Sequence, residues 1–178
     1  MKKILLTAAM AMVCAASQAA SDGAPLWLRN TAISPDGNTI AFTFRGDIYT
    51  VPYTGGQATR LTTVDAYDSS PVWSPDGKQI AFSSNRNGST DIFIVDANGG
   101  QPRRLTTHSG SETPLAFAGD KIIFTGNIMP SQKAINGYVF PQLYTVPVSG
   151  GRPELLLSLP AISLSVDNNG RILYTDKK

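Results

Sequence analysis

The chain contains a single histidine, His108, so any serine-histidine-aspartate hydrolase site built from these residues would depend on it. Ser109, Ser111 and Glu112 follow within the same polar segment. Such a site needs a nucleophile held against the imidazole and a buried acid that orients the ring. A polar loop that exposes all of these side chains provides no burial. We therefore interpret His108 as a solvated loop residue and predict no catalytic residues in this chain.

Two aspartates, Asp36 and Asp76, stand in identical Ser-Pro-Asp-Gly segments. Calcium requires several oxygen ligands, and an isolated aspartate does not supply them. Proline, aspartate and glycine in this order favour a tight turn, so we interpret both as turn residues. Asp47 and Asp91 each precede an apolar run, and we interpret them as structural residues that cap the preceding hairpin through backbone hydrogen bonds. No metal-binding and no cofactor-binding residue is predicted.

Three glycine pairs, Gly55-Gly56, Gly99-Gly100 and Gly150-Gly151, separate apolar runs. None of them follows a strand and opens a helix, so the pairs do not indicate a phosphate-binding loop. They indicate hairpin turns. Asn87-Gly88-Ser89 matches a glycosylation sequon, but between two apolar runs it is interpreted as turn chemistry.

These turn signals divide the chain into a repeated unit of about 40 residues. In Val72 to Thr107, four short runs rich in Ile, Val, Phe and Thr alternate with turn residues, which is typical of a four-stranded antiparallel sheet. An earlier copy runs from Ile33 to Thr63, and a later one from Pro114 to Leu157. The later copy carries an insertion at 127–139, interpreted either as a functional loop on the rim or as a tolerated insertion.

The strand Asp91 to Asp96 has four consecutive apolar residues at its centre, so both of its faces require burial. Sheets that stack on both sides meet this requirement, as in repeat arrays. The predicted fold class is therefore all-β: an incomplete β-propeller with about three four-stranded antiparallel blades and the start of a fourth. Rings of this kind usually contain about four to eight blades, so a fragment of a longer chain is expected, with closure by oligomerisation as the alternative.

The expected boundaries follow from this organisation. Residues 1–19 resemble a secretory signal, with Lys2-Lys3, an apolar segment and a cleavage site after Ala19, which predicts a periplasmic or secreted protein without a membrane anchor after cleavage. The alternative is an N-terminal core helix. Residues 20–30 form a leader, and the partial propeller of 31–178 divides into blades at 31–63, 71–107 and 114–157 and a fourth that starts at 160–178. The formal net charge of +2 includes both lysines of the signal, so no nucleic-acid partner is indicated.

The repeat W-S-P-D-G-x-x-I-A-F, followed by D-I-F-x-V, G-G and R-L-T, resembles the Trp-Asp-like β-propeller repeats of TolB and of tricorn-type peptidases. The segments Leu26 to Pro52 and Phe140 to Pro147 are more similar to the start of secreted bacterial tricorn-like serine peptidases. That resemblance implies propellers followed by a later module with the serine nucleophile and its base, and none of those positions has a counterpart here. It implies as partners the rest of a longer chain and peptides or proteins. The alternative is a TolB-like protein-binding scaffold without enzymatic activity.

Overall fold

The structure, a computed structural model, describes residues 27–128, 141–157, 161–167 and 171–176. These ranges consist of β-strands, turns and connecting segments, and they contain no helix, hence none that could cross a bilayer. The predicted signal peptide 1–19, most of the leader 20–30 and most of the insertion 127–139 lie outside the described residues.

The strands form three four-stranded antiparallel sheets, each paired in chain order, and a two-stranded sheet. Blade one contains β1 (Arg29–Ile33), β2 (Thr39–Phe44), β3 (Asp47–Pro52) and β4 (Thr59–Arg60). Blade two contains β5 (Asp68–Trp73), β6 (Gln79–Asn87), β7 (Ser89–Asp96) and β8 (Arg103–Arg104). Blade three contains β9 (Glu112–Ala118), β10 (Lys121–Gly126), β11 (Gln142–Pro147) and β12 (Glu154–Leu157). The predicted all-β class and its four-stranded antiparallel blades are confirmed.

The first strands of the three blades begin at Arg29, Asp68 and Glu112, a few residues before the positions 31, 71 and 114 suggested by the sequence. The last sheet pairs β13 (Ala161–Val166) with β14 (Ile172–Asp176), within the region where a fourth blade was expected to start. Leu173 of β14 is 76% exposed, so this sheet has an uncovered apolar side chain.

The glycine pairs lie in the turns between the third and fourth strands of their blades, as predicted. Both glycines of each pair have positive φ, from 85° at Gly55 to 139° at Gly151. In each turn the N–H of the first glycine donates to the carbonyl three residues earlier, at 2.8–2.9 Å. Gly88, with φ of 100°, lies in the turn between β6 and β7, the second and third strands of blade two. Asn87-Gly88-Ser89 therefore forms a hairpin turn.

Blade two is buried on both faces, as the apolar strand Asp91 to Asp96 predicted. Phe93 and Val95 belong to a core shared with blade one, whereas Ile92 and Ile94 belong to a core shared with blade three. These four side chains are no more than 3% exposed. Each fully buried aliphatic or aromatic side chain contributes roughly 1.5–3 kcal/mol, and blade two obtains this on both sides.

The first strands of the blades lie side by side, since β5 contacts both β1 and β9. We call the contact between blades one and two the first junction, and that between blades two and three the second junction. At the first junction the indole N–H of Trp73 donates to the carbonyl of Ala32 at 3.1 Å, and the N–H of Asp68 donates to the carbonyl of Gly46 at 2.7 Å. A side chain at Gly46 would approach the Ala66 carbonyl to 3.3 Å, so glycine allows this close crossing.

Candidate functional site

The two Ser-Pro-Asp-Gly segments form the same turn, between the first and second strands of blades one and two. The Ser34 hydroxyl donates to Asp36 at 2.5 Å, and the Ser74 hydroxyl donates to Asp76 at 2.7 Å. The N–H two residues after each aspartate donates to the same carboxylate oxygen at 3.1 Å. These hydrogen bonds, that of the serine first, lower the pKa of both aspartates below its usual value. The predicted turn chemistry is confirmed, and both exposed carboxylates are ionised at neutral pH.

The two aspartates that open the third strands, Asp47 and Asp91, belong to a repeated Asp-Arg-Thr cluster that joins the third strand of the blade to its fourth. The cluster consists of Asp47, Arg60 and Thr62 in blade one, and of Asp91, Arg104 and Thr106 in blade two. The arginine reaches the aspartate at 2.6 Å in blade one and 2.7 Å in blade two. The threonine hydroxyl accepts the N–H of the residue after the aspartate, at 2.9 Å in both blades. Asp47 and Asp91 therefore occupy strand-joining positions, bonded to side chains of the fourth strand.

Glu112 is where the structure differs from our expectation of a solvated loop. It is the first residue of β9 and is completely buried, so the predicted exposure was wrong. One carboxyl oxygen is bonded to the hydroxyl of Thr106, while the other, Oε1, has no hydrogen-bond partner in the described part of the chain. The backbone carbonyl of Glu112 accepts the hydroxyl of Ser83 at 2.8 Å, which fixes β9 against blade two.

The charges around Glu112 do not balance. Its pKa is raised to about 7, chiefly by burial and in part by the neighbouring charge of Asp91, while the hydrogen bond of Thr106 and the charge of Arg104 act in the opposite direction. Burial also raises the pKa of Asp91, despite the nearby charge of Arg104. Two buried acids thus share one arginine, and a proton on Glu112 near neutral pH relieves the excess negative charge.

The equivalent position in blade two is Asp68, which is also the first residue of its blade and completely buried. It pairs with Ser84 on the second strand as Glu112 pairs with Gly126. Asp68, however, accepts two hydrogen bonds from the guanidinium of Arg86, at 2.9 and 3.1 Å. The same guanidinium lies over the rings of Phe82 and Phe93, at 5.5 and 4.7 Å. Asp68 is therefore paired with its own cation.

The histidine lies beside this acid cluster but is not arranged as a general base for a serine. The hydroxyl of Ser89 donates at 2.7 Å to the backbone carbonyl of His108, and it lies 3.5 Å from a carboxylate oxygen of Asp91. A nucleophile would instead direct its proton at the imidazole. His108 itself is half-buried, and its charge lowers the pKa of Asp91 slightly. Ser109 and Ser111 are exposed.

A groove of about 620 Å³ opens at the first junction, on the side of the two Ser-Pro-Asp-Gly turns. Its lining includes Asp36 and Asp76, the indole of Trp73, Thr59 of the fourth strand of blade one, and the turn residues Ala97 and Asn98 of blade two. Within the described ranges, no three histidine, cysteine, aspartate or glutamate side chains group closely enough to hold a metal ion.

The burial of Glu112 can be predicted from the sequence when the blades are aligned by strand register, although the turn pattern of the repeats does not indicate it. Aligning the blades by their second strands places Glu112 on Asp68, a position whose backbone also anchors the junction. The same alignment places Ile128 at the position of Arg86. Ile128 lies two residues after Gly126, the strand partner of Glu112, and Arg86 lies two residues after Ser84, the strand partner of Asp68. A buried acid that loses its arginine in one repeat was therefore detectable, but only once strand register was known.

Comparison with known proteins gives relatives of the same two kinds. Residues 25–178 match the family described as the Tricorn protease N-terminal beta propeller domain. The chain is 36% identical over 88 residues to Tricorn protease homolog 1 of Streptomyces coelicolor, which covers 49% of the chain and 8% of that protein. It is 37% identical over 79 residues to a Protein TolB homolog of Chlorobium luteolum, which covers 44% of the chain and 17% of that protein.

Solved structures agree on the fold. The tricorn protease superposes on 85% of the chain, with a TM-score of 0.67, 21% identity and 15% of its own length covered. TolB of Acinetobacter baumannii superposes on 84% of the chain, with a TM-score of 0.66, 23% identity and 38% of its length covered. The chain spans well under half of these relatives. Because the family match extends over residues 25–178, which include every described residue, the chain belongs to the family of tricorn protease N-terminal β-propeller domains.

Proposed function

We propose that the chain is a non-catalytic N-terminal propeller portion of a periplasmic or secreted tricorn-like serine peptidase, in which it serves as a scaffold or as a gate for peptide substrates. The family match over residues 25–178 and the identity to a tricorn protease homolog support the peptidase assignment. The lysine pair and apolar segment before Ala19 support export.

The main support for a non-catalytic role is that the buried acidic side chains make hydrogen bonds and ion pairs that join strands and blades. Asp47, Asp68 and Asp91 are bonded to arginines of their own blades. Glu112 is bonded to Thr106, and the hydroxyl of Ser89 is directed at a backbone carbonyl. These contacts hold strands and blades together, so the hydrolytic site is proposed to lie in another part of the complete protein.

A second candidate is a TolB-like scaffold that binds a protein partner and has no attached enzyme. The 37% identity to a TolB homolog and the superposition on TolB favour it. The two candidates share the fold and differ in what the rest of the protein does.

The test compares the 178-residue chain with the complete product of its gene. Both are treated with a fluorescent phosphonate that labels active serines, and with a fluorogenic peptide. We expect the complete product to be labelled and to cleave the peptide, and the chain to do neither. A complete product that is inert would reject the peptidase in favour of the scaffold. Labelling of the chain itself, abolished by His108→Ala, would overturn the non-catalytic role.

A further inference from the structure

An arginine closes the second junction on the side of the turns. Arg103, in the fourth strand of blade two, extends across to the turn between the third and fourth strands of blade three. Its guanidinium donates to the backbone carbonyl of Val148 at 2.5 Å and to that of Ser149 at 3.1 Å. The two adjacent carbonyls accept two N–H groups of one planar fork, a geometry that the rigid guanidinium of arginine fits well.

The first junction has the same backbone without the arginine. Thr59 is the counterpart of Arg103, because the two residues hold the same place in the pairing of third and fourth strands. Ala97 and Val148 are counterparts as well. The backbone N–H of each donates at 2.8 Å to a backbone carbonyl in the turn between the first and second strands of its blade. Asn98 therefore corresponds to Ser149. A threonine side chain is short and uncharged, and Thr59, Ala97 and Asn98 all line the 620 Å³ groove.

The groove also carries negative charge. Asp36 and Asp76 line it, and the lowered pKa of each carboxyl keeps both ionised at neutral pH. The nearest described cation, Lys78, lies 3.9 Å from Asp76 and is largely exposed, so it balances at most one of the two. Trp73 and the two prolines of the Ser-Pro-Asp-Gly turns supply flat apolar walls against which a guanidinium plane can stack.

We propose that the groove of the first junction binds an arginine side chain of a peptide or protein partner, in the place that Arg103 takes within the chain at the second junction. The guanidinium donates to the carbonyls of Ala97 and Asn98, and the carboxylates of Asp36 and Asp76 supply the opposite charge. The partner is thus an extended segment with an arginine, and the site is independent of whether the complete protein is a peptidase or a scaffold.

The experiment follows the backbone amide signals of the isotope-labelled chain by nuclear magnetic resonance, during titration with acetyl-Ala-Arg-Ala-amide. We expect saturable shifts centred on Thr59, Ala97 and Asn98. The matched citrulline peptide has the same shape without charge and should bind about tenfold more weakly, the difference between charged and neutral hydrogen bonds. Equal binding of the citrulline peptide, or no saturable shift up to about 20 mM arginine peptide, would overturn the proposal.

Two reciprocal variants locate the site. Thr59→Arg supplies the internal occupant and should reduce peptide binding at least tenfold, whereas Arg103→Thr should open a second groove with new shifts at Val148 and Ser149. Unchanged peptide binding by Thr59→Arg would show that the peptide binds elsewhere and would refute the site. If Thr59→Arg does not fold, Asp36→Asn is used, since the amide oxygen still accepts from the Ser34 hydroxyl and the Asn38 backbone N–H, and only the exposed bond from the Asn38 side chain is lost. A loss of about twofold to fivefold in peptide binding is expected, and no loss counts against the site.

Discussion

Where blade two begins, two aspartates, Asp47 and Asp68, face two arginines, Arg60 and Arg86. Where blade three begins, the corresponding acids, Asp91 and Glu112, have one arginine beside them among the described residues, Arg104, because Ile128 stands where the second arginine would be; the half-buried His108 also lies near Asp91. Asp68, Asp91 and Glu112 are completely buried in these two regions, and both regions hold strands and blades together. The start of blade two balances its acids with cations and the start of blade three with a proton, so the two depend differently on pH although they share a fold.

The largest expected effect comes from removing the cation at the start of blade two. Arg86→Met leaves Asp68, which is completely buried, without its partner and also removes the contacts with the rings of Phe82 and Phe93. Loss of one member of a buried pair costs about 3–5 kcal/mol, to be measured by urea unfolding at pH 7.

Lys78→Met is the matched control for Arg86→Met. The Lys78 side chain is 79% exposed, so its replacement should change the free energy of unfolding by less than about 0.5 kcal/mol. A loss below about 1 kcal/mol in Arg86→Met would mean that the start of blade two does not depend on charge balance.

The next effect concerns the start of blade three, where a proton balances the acids. The folded-state pKa of Glu112 is about 7, against an ordinary value of 4.5, so the folded protein holds this proton where the unfolded chain has lost it. Its contribution is fully present below about pH 4.5 and is lost as the pH rises through 7, a change of about 3 kcal/mol.

Glu112→Gln keeps an acceptor for Thr106 but cannot titrate. Its free energy of unfolding should equal that of the wild type near pH 4.5 and exceed it by about 3 kcal/mol at pH 8, which urea unfolding across this range measures. A difference between the two proteins that does not change with pH would show that folding does not raise the pKa of Glu112.

A smaller effect is expected when the missing cation is restored. Ile128→Arg places a guanidinium where Arg86 stands in blade two, next to Phe124 and Tyr144 in place of Phe82 and Phe93. An opposite charge this close lowers the pKa of a carboxyl by about one unit or more, so the pH-dependent difference attributable to Glu112 should shrink by about 1.4 kcal/mol. Ile128→Met adds no charge and should leave that difference intact. The same reduction with methionine would mean that packing, not charge, sets the pKa.

The smallest effect is expected from Arg60, whose ion pair is as short as that of Arg104 but more exposed to solvent. Arg60 and Arg104 reach their aspartates at nearly equal distances, but the Arg60 side chain is 44% exposed and Asp47 is 10% exposed. Arg60→Gln should therefore cost about 1 kcal/mol or less in urea unfolding. Arg104→Gln, which leaves a fully buried Asp91, should cost clearly more. Equal losses would show that the two clusters contribute alike despite their different burial.

The blades can be predicted from the sequence because the apolar strand centres and the turn residues indicate the same four-stranded unit. The apolar centre of Asp91 to Asp96 predicts burial on both faces, and the Ser-Pro-Asp-Gly turns form the hydrogen bonds that their residues favour. Glu112 was misjudged because its neighbours from Thr107 to Ser111 are polar and because strand register, not local composition, decides its burial. The contact of Arg103 with Val148 and Ser149 depends on how two blades pack, which no single repeat specifies.

The Asp-Arg-Thr clusters also determine how the sheets end. The hydroxyls of Thr62 and Thr106 take the N–H groups that a longer fourth strand would have paired, so β4 and β8 are each two residues long. A strand so short offers almost no free ladder of backbone groups to a neighbouring molecule. The side chains that fasten the outer strands therefore also protect the rim against edge-to-edge aggregation, and their loss would endanger solubility before it unfolded a blade.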